Sequence, residues 1–136
     1  MTSPDLGENA FTIERRDAGA GVVLAFSGPL RLGCRDATTG LQLVEYVTSL
    51  VNEGTTRVVI DLDALVKTPD SSGLGELVAA ESALRHSGGR LVLLNVSPKL
   101  RQIITTLGLT ILFRIASTEA EAVALLSEKK VHRDNR

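Results

Sequence analysis

An α/β fold built on a mixed, largely parallel β-sheet is predicted from three features of the sequence. Short β-branched apolar runs alternate with longer stretches whose apolar residues recur at helical spacing. The first two runs are separated only by Asp17-Ala18-Gly19-Ala20-Gly21, a turn-forming stretch that makes them an antiparallel hairpin. Each later run is followed by a helical stretch, and strands alternating with helices require crossover connections and parallel pairing. The expected order is β-β-α-β-α-β-α-β-α.

Phe11 to Arg15 and Val22 to Ser27 are the hairpin strands. A polar, Gly-containing stretch from Gly28 to Asp36 follows. From about Thr38 to Asn52, the residues Leu43, Val44, Val47, Leu50 and Val51 fall on one helical face, and Gly54 is placed to end that helix. The run RVVIDL, from Arg57 to Leu62, is continuous and bounded by charge, as in a strand buried on both faces. A loop from Asp63 to Asp70 leads to a second helix carrying Leu74, Leu77, Val78 and Leu84, closed by Gly88-Gly89. Leu91 to Leu94 is a further buried strand. Ser97-Pro98 opens a third helix, where Pro in the first turn forfeits no helical hydrogen bond. Its stripe is Leu100, Ile103, Ile104 and Leu107, with Gly108 at its end. Ile111 to Ala116 is the last strand, and Ser117-Thr118-Glu119 starts a helix reaching about Ser127. Ile60, Leu77, Leu93, Ile103 and Leu107 are expected in the core. The domain spans 10–127, with tails at 1–9 and 128–136.

The 136 residues fit one domain, large enough to bury roughly two-thirds of its unfolded surface without a metal or disulfide staple. With 43 % apolar residues the chain is not a disordered tail protein. Fifteen basic and sixteen acidic residues leave a net charge of −1, and the aromatic residues are only Phe11, Phe26, Tyr46 and Phe113. That combination lacks the charged groove and stacking rings used to bind single-stranded nucleic acid. Cys34 is the only cysteine, and His86 and His132 lie far apart, so a metal site would rest on carboxylates alone. No cofactor is expected. Apolar runs are far too short to cross a bilayer, and the first ten residues carry no secretory pattern, so a cytoplasmic protein without membrane insertion is expected.

The densest chemical signal is Asp70-Ser71-Ser72-Gly73-Leu74-Gly75, at the entry to the second helix. A helix start leaves four N–H groups without partners, and Asp or Ser side chains accept from them. One cap does not need two adjacent hydroxyls, and each glycine in a first turn costs about 1 kcal/mol relative to Ala. Such glycines either serve tight packing or let another surface come close. Elsewhere, Cys34 beside Arg35 is a plain loop cysteine or a thiol activated by a cation. Asp61 and Asp63 are read as ordinary strand-end carboxylates. No histidine stands where it would activate Ser71, and no P-loop or dinucleotide fingerprint is present.

The hexapeptide at 70–75 after a buried VVIDL strand, the Gly88-Gly89 turn and the Ser97-Pro98 helix start together resemble the STAS family, over about Phe11 to Ser127. That family includes the bacterial anti-sigma factor antagonists and a domain of sulfate transporters. The resemblance implies a small mixed sheet flanked by helices. It implies a phosphorylation-gated binding module without enzymatic activity, whose partner is both anti-sigma factor and serine kinase. A phosphatase and self-association are further implied partners. The phosphorylated hydroxyl maps onto Ser71, with Asp70, Ser72, Gly73, Leu74 and Gly75 around it. A scaffold role in a larger sensory assembly and a small-ligand role in a cleft where strand order reverses are the alternatives.

One segment departs from the family pattern. A Gly-acid-Leu-Asp stretch usually follows the second strand and borders the phosphorylation site, whereas here the residues are Gly28-Pro29-Leu30-Arg31, in a loop about four residues longer. Counted the other way, the position of the Asp falls on Arg35. Either arginine puts a cation where an acid is usual, and either matches the oxygens of a phosphate on Ser71. The loop from Asp63 to Asp70 is also one residue longer than usual, with Pro69 ahead of the Asp.

Overall fold

The computed structural model describes residues 10–65, 68–69 and 71–128. The expected tails at 1–9 and 128–136 lie outside the described residues, apart from Glu128. Five strands form one sheet: β1 (Thr12–Asp17), β2 (Val22–Gly28), β3 (Arg57–Leu65), β4 (Arg90–Leu94) and β5 (Arg114–Ala116). Four helices accompany them: α1 (Leu43–Asn52), α2 (Ser71–His86), α3 (Pro98–Thr106) and α4 (Glu119–Ser127). The strand order is β1-β2-β3-β4-β5, with β1 and β2 antiparallel and every later pair parallel.

That order decides where the helices go. Each crossover from β2 onward steps the same way across the sheet, and right-handed crossovers in one direction stack their helices on one face. The main core accordingly joins Val22, Leu24, Phe26, Val58, Ile60, Leu91 and Leu93 to Leu43 and Val47 of α1, Leu74, Leu77 and Leu84 of α2, and Leu100 and Ile104 of α3. Phe11 meets Phe26 edge to face, with ring centroids 5.2 Å apart. The alternate side chains Val23, Val59, Val92 and Leu94 form a second, smaller core with Ala116, Ala122 and Leu126. Among the described residues only α4, which follows β5, supplies helical residues to it. A sheet in sequential order has no reversal among its parallel strands. The crevice expected at such a reversal therefore has no counterpart.

Arginines near the amino ends of three strands gather at the end of α4. Arg57 and Arg90 donate to the carbonyls of Leu126 and Leu125 at 2.8 and 2.7 Å. Glu128 pairs with Arg114 at 3.0 Å and with Arg90 at 3.5 Å. Burial lowers the pKa of Arg90 from its ordinary value, with the charge of Arg114 adding to the effect.

Several expectations need correction. Ile60, Leu77 and Leu93 are fully buried, but Ile103 is half-buried and Leu107 is 55 % exposed. α3 ends at Thr106, so Leu107 is already in the capping turn and its place on the stripe is lost. The chain then makes a short 3-10 turn at Leu109–Ile111, which delays β5 to Arg114. α1 begins at Leu43 rather than near Thr38, because Gly40 sits at φ +75°, a left-handed conformation no helix can pass through. Glu45 instead accepts from the Gln42 N–H at 2.8 Å and starts the helix there. β3 runs on to Leu65, and its register against β2 shifts between Ala25 and Ser27. Phe26 of β2 faces both Leu62 and Asp63 of β3 across that shift, so a bulge takes up an extra residue of the 57–65 segment.

Candidate functional site

Ser71 is the first residue of α2 and is exposed, while Ser72 is half-buried and Gly73 and Leu74 are buried. Asp70, expected beside them, lies outside the described residues. Leu74 turns into the main core and anchors the first turn of the helix. Gly75 is exposed, and a Cβ added to it would meet nothing within 4 Å.

Gly73 is different. A Cβ there would fall 2.2 Å from the carbonyl oxygen of Leu30 and 3.0 Å from Pro69 Cβ. The glycine therefore serves tight packing within the molecule, although against the loop after β2 and not against the sheet. The polypeptide after β2 lies directly on the first turn of α2. Leu30 is buried, and the following residues are tied to the helix: the Leu32 N–H points to Ser72 Oγ at 3.4 Å, and the Gly33 N–H donates to Glu76 Oε2 at 3.0 Å. Arg31 is exposed between these anchors. Leu32 is 73 % exposed, an apolar side chain held outward on this surface.

Arg35 and Asp36 serve the other side of the loop. Arg35 donates to the Gly40 carbonyl at 2.8 Å and lies 3.6 Å from Glu45. Asp36 is 1 % exposed and accepts three hydrogen bonds: from the Ile13 N–H at 2.8 Å, the Thr39 N–H at 2.9 Å and the Thr39 hydroxyl at 2.8 Å. The Ala37 N–H adds a bond to the Phe11 carbonyl at 2.9 Å. Asp36 thus fastens the long loop to β1. Of the two arginines, Arg31 is the one beside α2, and among the described residues it forms no ion pair.

Asp36 and Glu76 are the residues that sequence reasoning missed as organisers of this surface. Neither belongs to a motif, since each acts through a backbone N–H distant in sequence. Cys34 is half-buried near Arg31 and Glu76, and burial pushes its thiol pKa up. Desolvation outweighs the nearby guanidinium, so the activated-thiol alternative is not supported. Beside the site, Leu62, Asp63, Leu65, Thr68, Pro69, Asn95, Ser97 and Leu100 line an open cleft of about 320 Å³ at the carboxyl ends of β3 and β4. Among the described residues no group of three His, Cys, Asp or Glu side chains is placed to hold a metal ion, and no helix is long and apolar enough to cross a membrane.

The chemical capacity of this surface is recognition. It offers an exposed hydroxyl, an exposed guanidinium and an outward apolar side chain on a backbone fixed by hydrogen bonds. Known structures carry the same fold. An anti-sigma factor antagonist from Mycobacterium paratuberculosis matches with a TM-score of 0.68 at 24 % identity, over 94 % of this chain and all of that one. The unphosphorylated form of the anti-sigma factor antagonist SpoIIAA matches with a TM-score of 0.61 at 25 % identity, over 88 % of this chain and all of that one. The phosphorylated form of SpoIIAA, a Bacillus cell fate determinant, matches with a TM-score of 0.57 at 27 % identity, over 85 % and 98 % of the two chains. Comparison with curated proteins gives no match. The family model for the STAS domain covers residues 13–122, and the chain belongs to the STAS domain family.

Proposed function

We propose that this STAS domain, spanning 10–127, is a cytoplasmic anti-sigma factor antagonist: a binding module, not an enzyme, gated by phosphorylation of Ser71. Its docking surface is the first turn of α2 together with the 30–33 segment. The observation that carries this reading is the exposure of Ser71 at the start of α2, beside a loop tied down by the Leu32 and Gly33 amides. Support also comes from SpoIIAA, an anti-sigma factor antagonist at 25–27 % identity known in phosphorylated and unphosphorylated forms.

In the unmodified state the surface binds a partner that is both anti-sigma factor and serine kinase, and the partner's sigma factor is released. The kinase supplies a nucleoside triphosphate. A bond forms between Ser71 Oγ and the terminal phosphorus while the bridging P–O bond breaks, the hydroxyl proton passes to a base on the kinase, and a nucleoside diphosphate leaves. Phosphate brings about −1.5 to −2 charges to an exposed surface. Against a partner carboxylate about 4 Å away, each unit charge is worth up to about 4 kcal/mol at an effective dielectric constant near 20. About 1.4 kcal/mol surviving solvent screening lowers affinity tenfold.

The test is co-purification from the native cell with mass spectrometry, followed by binding measurements on the recovered partner. Ser71→Ala should bind like the unmodified protein and resist phosphorylation, whereas Ser71→Asp and the phosphorylated protein should bind more weakly. Equal affinity of all four forms would refute the gate.

A further inference from the structure

Resting on the Ser71 switch just described, we propose that Arg31 is the intramolecular receptor of the phosphate, bridging the seam between α2 and the 30–33 segment. Modification then takes Arg31 out of the partner's reach as well as adding charge.

Placement carries the argument. Leu30 touches α2 where Gly73 leaves no room for a side chain, and Leu32 and Gly33 are tied to Ser72 and Glu76. Arg31 lies between these anchors, so its backbone is held beside the first turn of α2, the turn that Ser71 opens. Its side chain is exposed and forms no ion pair among the described residues. The guanidinium fork matches phosphate oxygens with paired donors, and the charge-assisted bonds are about 2.7–2.9 Å long.

The other charged groups nearby sharpen the assignment. Arg35 is engaged with the Gly40 carbonyl and with Glu45 of α1. Glu76 is half-buried with its carboxylate on the Gly33 N–H, and Asp70 precedes Ser71 in sequence. Both carry negative charge, so a cation from outside the helix turn adds to what the free N–H groups of the helix start give a phosphate dianion at Ser71. Among the described residues, Lys99, exposed in the first turn of α3, is a further basic residue toward this end of the sheet.

The test uses the full chain with phosphoserine installed at position 71 during translation, so that no kinase is needed. Phosphorus NMR follows the second ionisation of the phosphate, which lies near pH 6 for a free phosphoserine. Arg31 favours the dianion and so lowers that pKa. Arg31→Gln should raise it by about 0.5–1 pH unit, below the 1–3 units of buried pairs because the site is exposed. Arg31→Lys should recover part of the shift, and Arg35→Gln and Lys99→Gln should leave it unchanged. The Leu32 and Gly33 amides should exchange more slowly in the phosphorylated wild type than in phosphorylated Arg31→Gln. An unchanged phosphate pKa in Arg31→Gln, or an equal shift in Arg35→Gln or Lys99→Gln, would overturn the assignment. Either result leaves the gate standing if phosphorylation still weakens partner binding. Failure of the gate shows instead as equal partner affinity of the modified and unmodified protein.

Discussion

Replacing Gly73 and Gly75 by Ala, one at a time, should move stability in opposite directions although the two glycines lie two residues apart on one helix. A helical Gly→Ala change ordinarily gains about 1 kcal/mol. At Gly75 nothing opposes that gain, because the new Cβ enters open space. At Gly73 the new Cβ falls 2.2 Å from the Leu30 carbonyl oxygen, a backbone atom that cannot rotate aside. Parting the helix from the loop costs about 1–3 kcal/mol by analogy with overpacked cores. It also loosens the Gly33–Glu76 hydrogen bond, worth about 0.5–1.5 kcal/mol. Set against the helical gain, the net is a destabilisation of about 2 kcal/mol, and the two variants should differ by about 3 kcal/mol. Urea denaturation measures this directly. With a slope near 2 kcal/mol/M the midpoints should separate by about 1.5 M at constant slope. Stabilisation of Gly73→Ala to the same extent as Gly75→Ala would refute the close-approach reading, and with it the seam on which the proposed docking surface rests.

Asp36→Ala should lower stability by about 3 kcal/mol, because the Ile13 and Thr39 donors lose a nearly inaccessible acceptor. A fall in melting temperature of about 10 °C would register this, and Asp36→Asn should recover part of it. Glu119 has its pKa depressed by the hydrogen bond from Arg16, so the stability the pair adds is present above the ordinary glutamate range and lost as pH falls through the depressed folded value. Carboxyl NMR titration should find Glu119 below the usual glutamate range, and Arg16→Ala should return it there. The Cys34 thiol, its pKa raised by burial, should react with iodoacetamide at pH 7 more slowly than a free peptide cysteine. A faster reaction would restore the activated-thiol reading.

The readable parts of the fold were those whose information is local. Continuous apolar runs marked β3 and β4, and the Ser97 hydroxyl caps Leu100 N at 3.1 Å where Ser-Pro foretold a helix start. Thr118 does the same for Glu121 N at 3.1 Å. Errors arose where a residue answers to something distant. Thr39 looked like part of a helix, but its amide and hydroxyl are claimed by Asp36, whose own position is fixed by β1. Leu107 sits four residues after Ile103, a spacing that means burial only if the helix continues, and this one stops. Glu81 is buried within α2 because Arg85, one turn on, pairs with it at 3.1 Å; a charged residue on that face gave no apolar signal. At the site, Ser71 was legible because motif and helix start coincide. The approach of Leu30–Gly33 was not, because a glycine's reason for being small lies in the neighbour that meets it.

The single cover over the smaller core has a consequence for how the chain is made. Val23, Val59, Val92 and Leu94 all belong to strands that leave the ribosome before α4 does. The main core can assemble as α1, α2 and α3 emerge between their strands, but the opposite face stays bare until residues 119–127 have been synthesised. During that interval the nascent sheet presents an apolar valine face, the kind of surface on which aggregation begins and chaperones act. Arg57, Arg90 and Arg114 are by then already in place, so the late-arriving helix meets waiting donors for its final carbonyls and for Glu128. Translation speed over the last strand and helix therefore sets how long that face is open to capture.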